Sequence, residues 1–222
     1  MRSRLLGRAR ISAAGWLSLV VLVAFMLCAL FPGLIAPYPP LEVAPADAFQ
    51  PPSAAHIFGT DDSGRDVFSR AVYGARDSLS IGIAATLGGL LAGVLLGVFA
   101  GGSRRRAFAP IRGVSDRAIE ALFAFPSLLL ALLLIAVRGP GLVSVILAVA
   151  ISTTPGYARM TRGGVRQVLG SGPVEAARLQ GDSGMRIWAK LVLPEALRPV
   201  LVLATLGVGQ AVVLAAALDS WA

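Results

Sequence analysis

The sequence predicts an all-α integral membrane protein, and three observations carry that expectation. The first is composition: 56% of the 222 residues are hydrophobic before the 25 glycines are counted, and only 14% are charged. Mean hydropathy is +0.76. A soluble globular domain is roughly 45–50% apolar with glycine included, and a water-soluble fold of this size has too much surface for so few polar groups. The second is length of run, because five apolar stretches reach or approach the roughly 20 residues that a helix needs to cross the hydrocarbon core. The third is charge sorting, which places most arginines on one side of those stretches.

The stretches run in order from about Gly15 to Ala36, Leu79 to Gly101, Ala118 to Val137, Gly141 to Tyr157 and Pro199 to Leu218. The first two contain no charge, the third only Glu120 near its start, and Gln210 is the most polar member of the fifth. The fourth is shorter and ends in Ser152, Thr153, Thr154 and Pro155. A cleaved signal peptide is the competing reading of the first stretch. Its apolar run exceeds the roughly 7–15 residues of such a region, and Phe31, Pro32 and Tyr38 make a poor cleavage neighbourhood, which favours a retained span.

The leader carries Arg2, Arg4, Arg8 and Arg10, the link after span two Arg104, Arg105, Arg106, Arg112 and Arg117, and the link after span four Arg159, Arg162, Arg166, Arg178, Arg186 and Lys190. With five crossings these segments fall on one side, so the positive-inside rule predicts a cytoplasmic N-terminus. The formal charge of +8 thus reads as topology and not as a nucleic-acid surface. The segment from Pro37 to Ser78 is acidic, with Glu42, Asp47, Asp61, Asp62, Asp66 and Asp77 against Arg65, Arg70 and Arg76. A single cysteine, Cys28, allows no intrachain disulfide, and the one histidine, His56, leaves no histidine cluster for a metal.

Pro37, Pro39, Pro40, Pro45, Pro51 and Pro52 predict an extended strap outside. From Gly64, apolar Val67, Phe68, Ala71 and Val72 recur at helical spacing and suggest an amphipathic interfacial helix before span two. In span two, Gly89, Gly93, Gly97 and Gly101 lie along one helix face and predict close helix packing, within the core or between subunits. Pro126 predicts a kink in span three.

The link between spans four and five reads as two short helices. Pro173 suits a first helical turn, Glu175 faces the positive end of the helix dipole, and Gly181 supplies a left-handed stop. Ser183 can cap a second helix that Pro194 limits. No phosphate-binding loop accompanies it, because the only lysine, Lys190, lacks the preceding glycine pattern and the following Ser or Thr.

Glu175, Ala176, Ala177, Gly181, Leu191, Leu193 and Pro194 stand at the spacing of the EAA motif. With Phe58-Gly-Thr-Asp-Asp-Ser-Gly-Arg-Asp-Val-Phe-Ser-Arg-Ala-Val-Tyr-Gly-Ala-Arg76, Ala124-Phe-Pro126 and Pro155-Gly-Tyr-Ala-Arg159, the chain resembles the permease subunits of binding-protein-dependent ABC importers. The likeness is to the C-type permeases of the dipeptide, oligopeptide and nickel group, and it extends from the leader to about Leu218. That resemblance implies the type I importer permease fold and a non-catalytic subunit of the bacterial inner membrane. It also implies that the EAA residues couple to a cytoplasmic ATPase, with Ala176 and Ala177 allowing close seating and Glu175 pairing with a basic group. The implied partners are a second permease in a heterodimer, two ATPase subunits that hold ATP and Mg, an extracytoplasmic binding protein and lipid, with no cofactor, metal or nucleic acid on this chain.

The expected organisation is a leader and first span over 1–36, a strap and amphipathic helix over 37–78, and a permease core over 79–222 with the coupling loop at about 159–194. The family pattern has a sixth span, for which no apolar stretch remains here, and Ala215 to Ala222 match its usual span-five ending only loosely, which suggests a fragment or a short form. The alternatives are a degenerate or scaffold subunit, and a secondary carrier. The latter calls for ionisable groups near mid-membrane, of which these spans have almost none.

Overall fold

A computed structural model describes residues 12–102, 109–139 and 141–219. Arg2, Arg4, Arg8, Arg10, Arg104, Arg105 and Arg106 lie outside them. The described residues are mainly helical and divide into two compact units, one through Leu79 and one from Ser80.

In the first unit, α1 (Ala13–Leu30) starts where the Ser12 hydroxyl accepts the Gly15 N–H at 3.2 Å. A one-turn α2 (Pro32–Ile35) follows, with Pro32 in its first turn. The prolines then keep the strap irregular apart from a 3-10 turn, Pro45–Asp47. The strap is ordered by pairing with the loop before α3 (Val67–Gly101): Phe49 donates to the Asp61 carbonyl at 3.0 Å, and Ala44 to the Ser63 carbonyl at 3.1 Å. Gly64 has φ +75°, and a Cβ there would overlap the Ala44 carbonyl, so only glycine fits.

Two carboxylates organise the loop that leads into α3. Asp61 accepts the backbone N–H groups of Ser63 (2.9 Å) and Arg65 (3.0 Å), the Arg65 Nε (2.8 Å) and the Arg70 guanidinium. Partial burial pushes its pKa up, but the bonds from Arg65 and Ser63 and the Arg65 charge override that and hold it at about 2. Asp66 caps α3 by accepting the Ser69 N–H at 2.7 Å and meets His56 Nδ1 at 3.0 Å. Its pKa is likewise lowered, with burial opposing and the bonds from Ser69 and His56 prevailing.

The expected interfacial helix is not separate. Residues from Val67 to Gly101 form one helix of 35 residues, because nothing between them lacks a backbone N–H or breaks the ladder.

In the second unit, span three is broken and not merely kinked. Helices α4 (Ala109–Ala124) and α5 (Ser127–Arg138) meet at 94° across Phe125 and Pro126, where Pro126 at ψ 130° leaves the helical region. The described residues hold four helices long and apolar enough to cross a membrane, or five if this pair counts as one. The fourth stretch extends past Tyr157 as α6 (Leu142–Leu169), running through buried Pro155. Beside that proline, Ser152 and Thr153 hydroxyls donate to the Val149 carbonyl and Thr154 to that of Ala150.

The four glycines of α3 lie against α6 of the same chain. An added Cβ would stand 2.5 Å from Thr153 Oγ1 at Gly89, 2.5 Å from Tyr157 Cβ at Gly93, 2.5 Å from Thr161 Cβ at Gly97 and 2.9 Å from the Arg162 carbonyl at Gly101. Each four-residue step on α3 meets a four-residue step on α6, so the two helices run parallel at backbone contact. A further core joins Ala85 of α3, Ala131 and Ile135 of α5, Val149 of α6, and Ala211 and Leu218 of the last helix, α9 (Leu193–Asp219).

Candidate functional site

The loop between α6 and α9 begins with α7 (Gly172–Leu179), with Pro173 and Glu175 in its first turn. Its end is a Schellman motif. Asp182 N–H donates to the Ala177 carbonyl at 3.0 Å and Gly181 N–H to that of Arg178 at 3.1 Å, with Gly181 at φ +84°. The short α8 (Gly184–Ile187) is capped by the Ser183 hydroxyl, which accepts the Arg186 N–H at 3.4 Å.

Pro194 does not end this second helix. A π turn, Trp188–Val192, joins α8 to α9, and its widened ladder carries Leu193 N–H to the Trp188 carbonyl. The chain therefore runs from Gly184 to Asp219 without a break. Proline is tolerated here because it lacks the N–H that a π turn displaces in any case.

The loop folds onto its own core. Val174, Ala177 and Ile187 are buried with Val165 near the end of α6, Val192 at the end of the π turn and Ala196 at the start of α9, and Leu191 packs against them. The two alanines consequently divide: Ala177 faces this core, whereas Ala176 is exposed beside Glu175. Neighbouring residues on a helix point about 100° apart, and the core under the loop takes Ala177 while Ala176 stays on the outer side. Leu193 is half-buried and Pro194 exposed.

Two residues that the motif did not single out complete the outer surface. Leu179 and Met185 are 84% and 80% exposed on the rim of the loop. The available signal was their apolar character in a charged link, beyond what the small core under the loop uses. Asp116 of α4 was also missed. It accepts Arg162 Nη1 at 2.7 Å and Arg166 Nη2 at 3.1 Å, while Arg166 also donates to the Ala100 carbonyl at 3.0 Å. This tie fastens α4 and the end of α3 to α6, directly before the loop.

At the break of span three, a cavity of about 590 Å³ is lined by Phe125, Pro126 and Ser127 on one side and by Ser152, Thr153 and Gln210 on the other. It gathers hydroxyl and amide groups from otherwise apolar helices. No group of three or more metal-ligating side chains occurs among the described residues.

Comparison with known proteins gives the architecture a family. Residues 93–221 match the binding-protein-dependent transport system inner membrane component, and residues 10–52 the N-terminal TM domain of oligopeptide transport permease C. A dipeptide transport system permease protein of Alkalihalophilus pseudofirmus is 40% identical over 200 residues, covering 90% of this chain and 64% of that protein. A di/tripeptide transport system permease protein of Pseudomonas aeruginosa is 41% identical over 212 residues, covering 93% and 68%. The chain thus spans about two thirds of the length of these relatives. Among solved structures, an amino acid ABC transporter has the same fold at a TM-score of 0.54 and 23% identity, covering 64% of this chain and 67% of that one. The chain belongs to the family of binding-protein-dependent transport system inner membrane components.

Proposed function

We propose that this chain is the permease subunit of an ATP-driven importer of peptides, and that Glu175, Ala176, Leu179 and Met185 form its contact with a cytoplasmic ATPase. The observation that carries the reading is the unbroken course from Gly184 through the π turn into α9. A partner pressing on this loop moves an apolar helix directly, with no hinge to absorb the displacement. Gly181 sets the reversal between the two short helices, Ala177 and Leu191 fix them to α6 and α9, and Leu193 and Pro194 continue the second into the membrane. Gly89, Gly93, Gly97 and Gly101 bind α3 to α6 as one body.

Transport requires inward and outward states biased by ATP and by a docked binding protein. The polar cavity at the span-three break is this subunit's contribution to the pathway, where Ser127, Ser152, Thr153 and Gln210 replace water around peptide groups. The assembly comprises a second permease, two ATPase subunits holding ATP and Mg, and a binding protein outside. This chain supplies no catalysis and binds no cofactor or metal. Its place is the bacterial inner membrane with the N-terminus cytoplasmic, as the arginine distribution supports. Peptide relatives favour peptides over nickel as cargo.

The test is Gly181→Val. A Cβ at Gly181 meets nothing within 4 Å, so the variant acts through φ alone, at a cost of about 1–2 kcal/mol or more for a β-branched side chain. Membrane insertion and ATP hydrolysis are expected to persist while uptake of a labelled dipeptide falls. Uptake equal to the parent's refutes the coupling role.

A further inference from the structure

We propose that the basic end of the second unit holds an anionic phospholipid, bound by its phosphate between the ends of α3, α4 and α6 and the loop helix α7. A cavity of about 650 Å³ there is lined by Arg112 of α4, Arg166 of α6 and Arg178 of α7, and by no acidic residue among its described members. Arg166 already shares Asp116 with Arg162. Arg112 and Arg178 form no ion pair among the described residues, so two of the three arginines lining the chamber have no counter-ion there.

A second chamber of about 660 Å³ adjoins it, sharing Gly102, Leu169, Arg178 and Trp188. Its remaining lining is apolar, including Val98, Phe99 and Ile111, with Phe99 51% and Ile111 46% exposed. Gly102 brings the chain close to the Trp188 ring, since a Cβ there would lie 3.7 Å from it. An indole at the junction of a charged and an apolar compartment matches the aromatic belt at a bilayer surface.

The pairing of compartments selects the occupant. Phosphate attracts guanidinium groups through bidentate, charge-assisted bonds, and a basic pocket between membrane helices suits a lipid headgroup. Free phosphate in solution has the same head chemistry but no use for a contiguous apolar chamber. A lipid fills both, its acyl chain covering Phe99 and Ile111. Because the site joins α7 to the ends of the membrane helices, an occupied site stiffens the loop against them.

The test uses the full chain in vesicles of equal parts phosphatidylglycerol and phosphatidylcholine, with Trp16 and Trp221 replaced by Phe so that Trp188 alone reports. Acyl chains of one lipid or the other carry bromine, a contact quencher. Brominated phosphatidylglycerol is expected to quench Trp188 more strongly than brominated phosphatidylcholine. Each guanidinium is worth about fivefold in affinity for an anionic headgroup, so Arg112→Gln with Arg178→Gln is expected to lower the preference by up to about thirtyfold. Arg178→Lys, which keeps the charge but not the two-pronged guanidinium contact, is expected to lower the preference by less than Arg178→Gln does. Equal quenching by the two lipids in the parent overturns the proposal, and that comparison stands even if the double variant does not insert. An unchanged preference in an inserted double variant overturns it too. Loss of the preference on adding millimolar inorganic phosphate at constant ionic strength also overturns it, by assigning the arginines to a free anion.

Discussion

Alanine at Gly97 and at Gly163 should shift stability in opposite directions, although both replace a helical glycine. At Gly97 the new Cβ would stand 2.5 Å from Thr161 Cβ, 2.6 Å from the Ala158 carbonyl oxygen and 3.0 Å from the Arg162 nitrogen. Carbon pairs rest at about 3.5–4.0 Å, so the helices must part by about 1 Å. Two of the three obstacles are backbone and cannot rotate away. Overpacking costs about 1–3 kcal/mol, and two backbone obstacles put this site in the upper half of that range; against a helix-propensity gain near 1 kcal/mol for alanine over glycine, a net loss of about 1–2 kcal/mol remains. At Gly163, on α6 itself, a Cβ meets nothing within 4 Å, and only the propensity gain remains. Equilibrium unfolding of the purified chain in mixed detergent micelles, followed by circular dichroism, reads the two variants on one scale. A Gly97→Ala protein as stable as the parent, or one shifted alongside Gly163→Ala, would refute the backbone-contact reading of the seam.

Asp116→Asn leaves Arg162 and Arg166 sharing a neutral amide, and is expected to cost about 1–3 kcal/mol in the same unfolding assay; a double-mutant cycle with Arg162→Gln should recover a coupling of about 1 kcal/mol. Asp61 has a folded pKa of about 2, below its ordinary 3.8. Its contribution is therefore complete above about pH 4 and lost as pH falls toward 2, which hydrogen exchange at the Ser63 and Arg65 amides can follow. Asp61→Asn should expose those amides at neutral pH. Leu179→Ala with Met185→Ala removes two exposed apolar side chains, and is expected to weaken association with the ATPase partner about tenfold or more while leaving the unfolding midpoint of the chain alone unchanged.

The elements legible in the sequence were those set by local rules. Apolar runs gave the crossing helices, Gly181 and Ser183 announced their caps, and glycines every four residues marked a helix face. The prolines were harder to read, because each removes one N–H and disfavours helix before it, yet the neighbouring structure decides whether the helix continues, breaks or widens. Pro155 is absorbed in α6, the chain turns by 94° at Pro126, and Pro194 stands in the first turn of α9 directly after a π turn. The motif spacing located the loop but could not divide Ala176 from Ala177, since that depends on the core formed by Val165, Ile187 and Val192. Leu179 and Met185 stood outside any pattern of spacing. Asp116 lies 46 residues from Arg162, a separation that no local periodicity connects.

The π turn at Trp188–Val192 also gives the rod a tolerance in length. A single π turn is an α-helix with one residue too many, held in one widened turn while the helix on either side keeps its course. Deleting one residue from the turn would let the ladder close as plain α-helix, with Met185 and the bundle-facing side of α9 still in their present relation. The same deletion in regular helix would turn everything before it by about 100°. The turn is thus a place where the chain can lose a residue and the two surfaces it joins still point to their partners together.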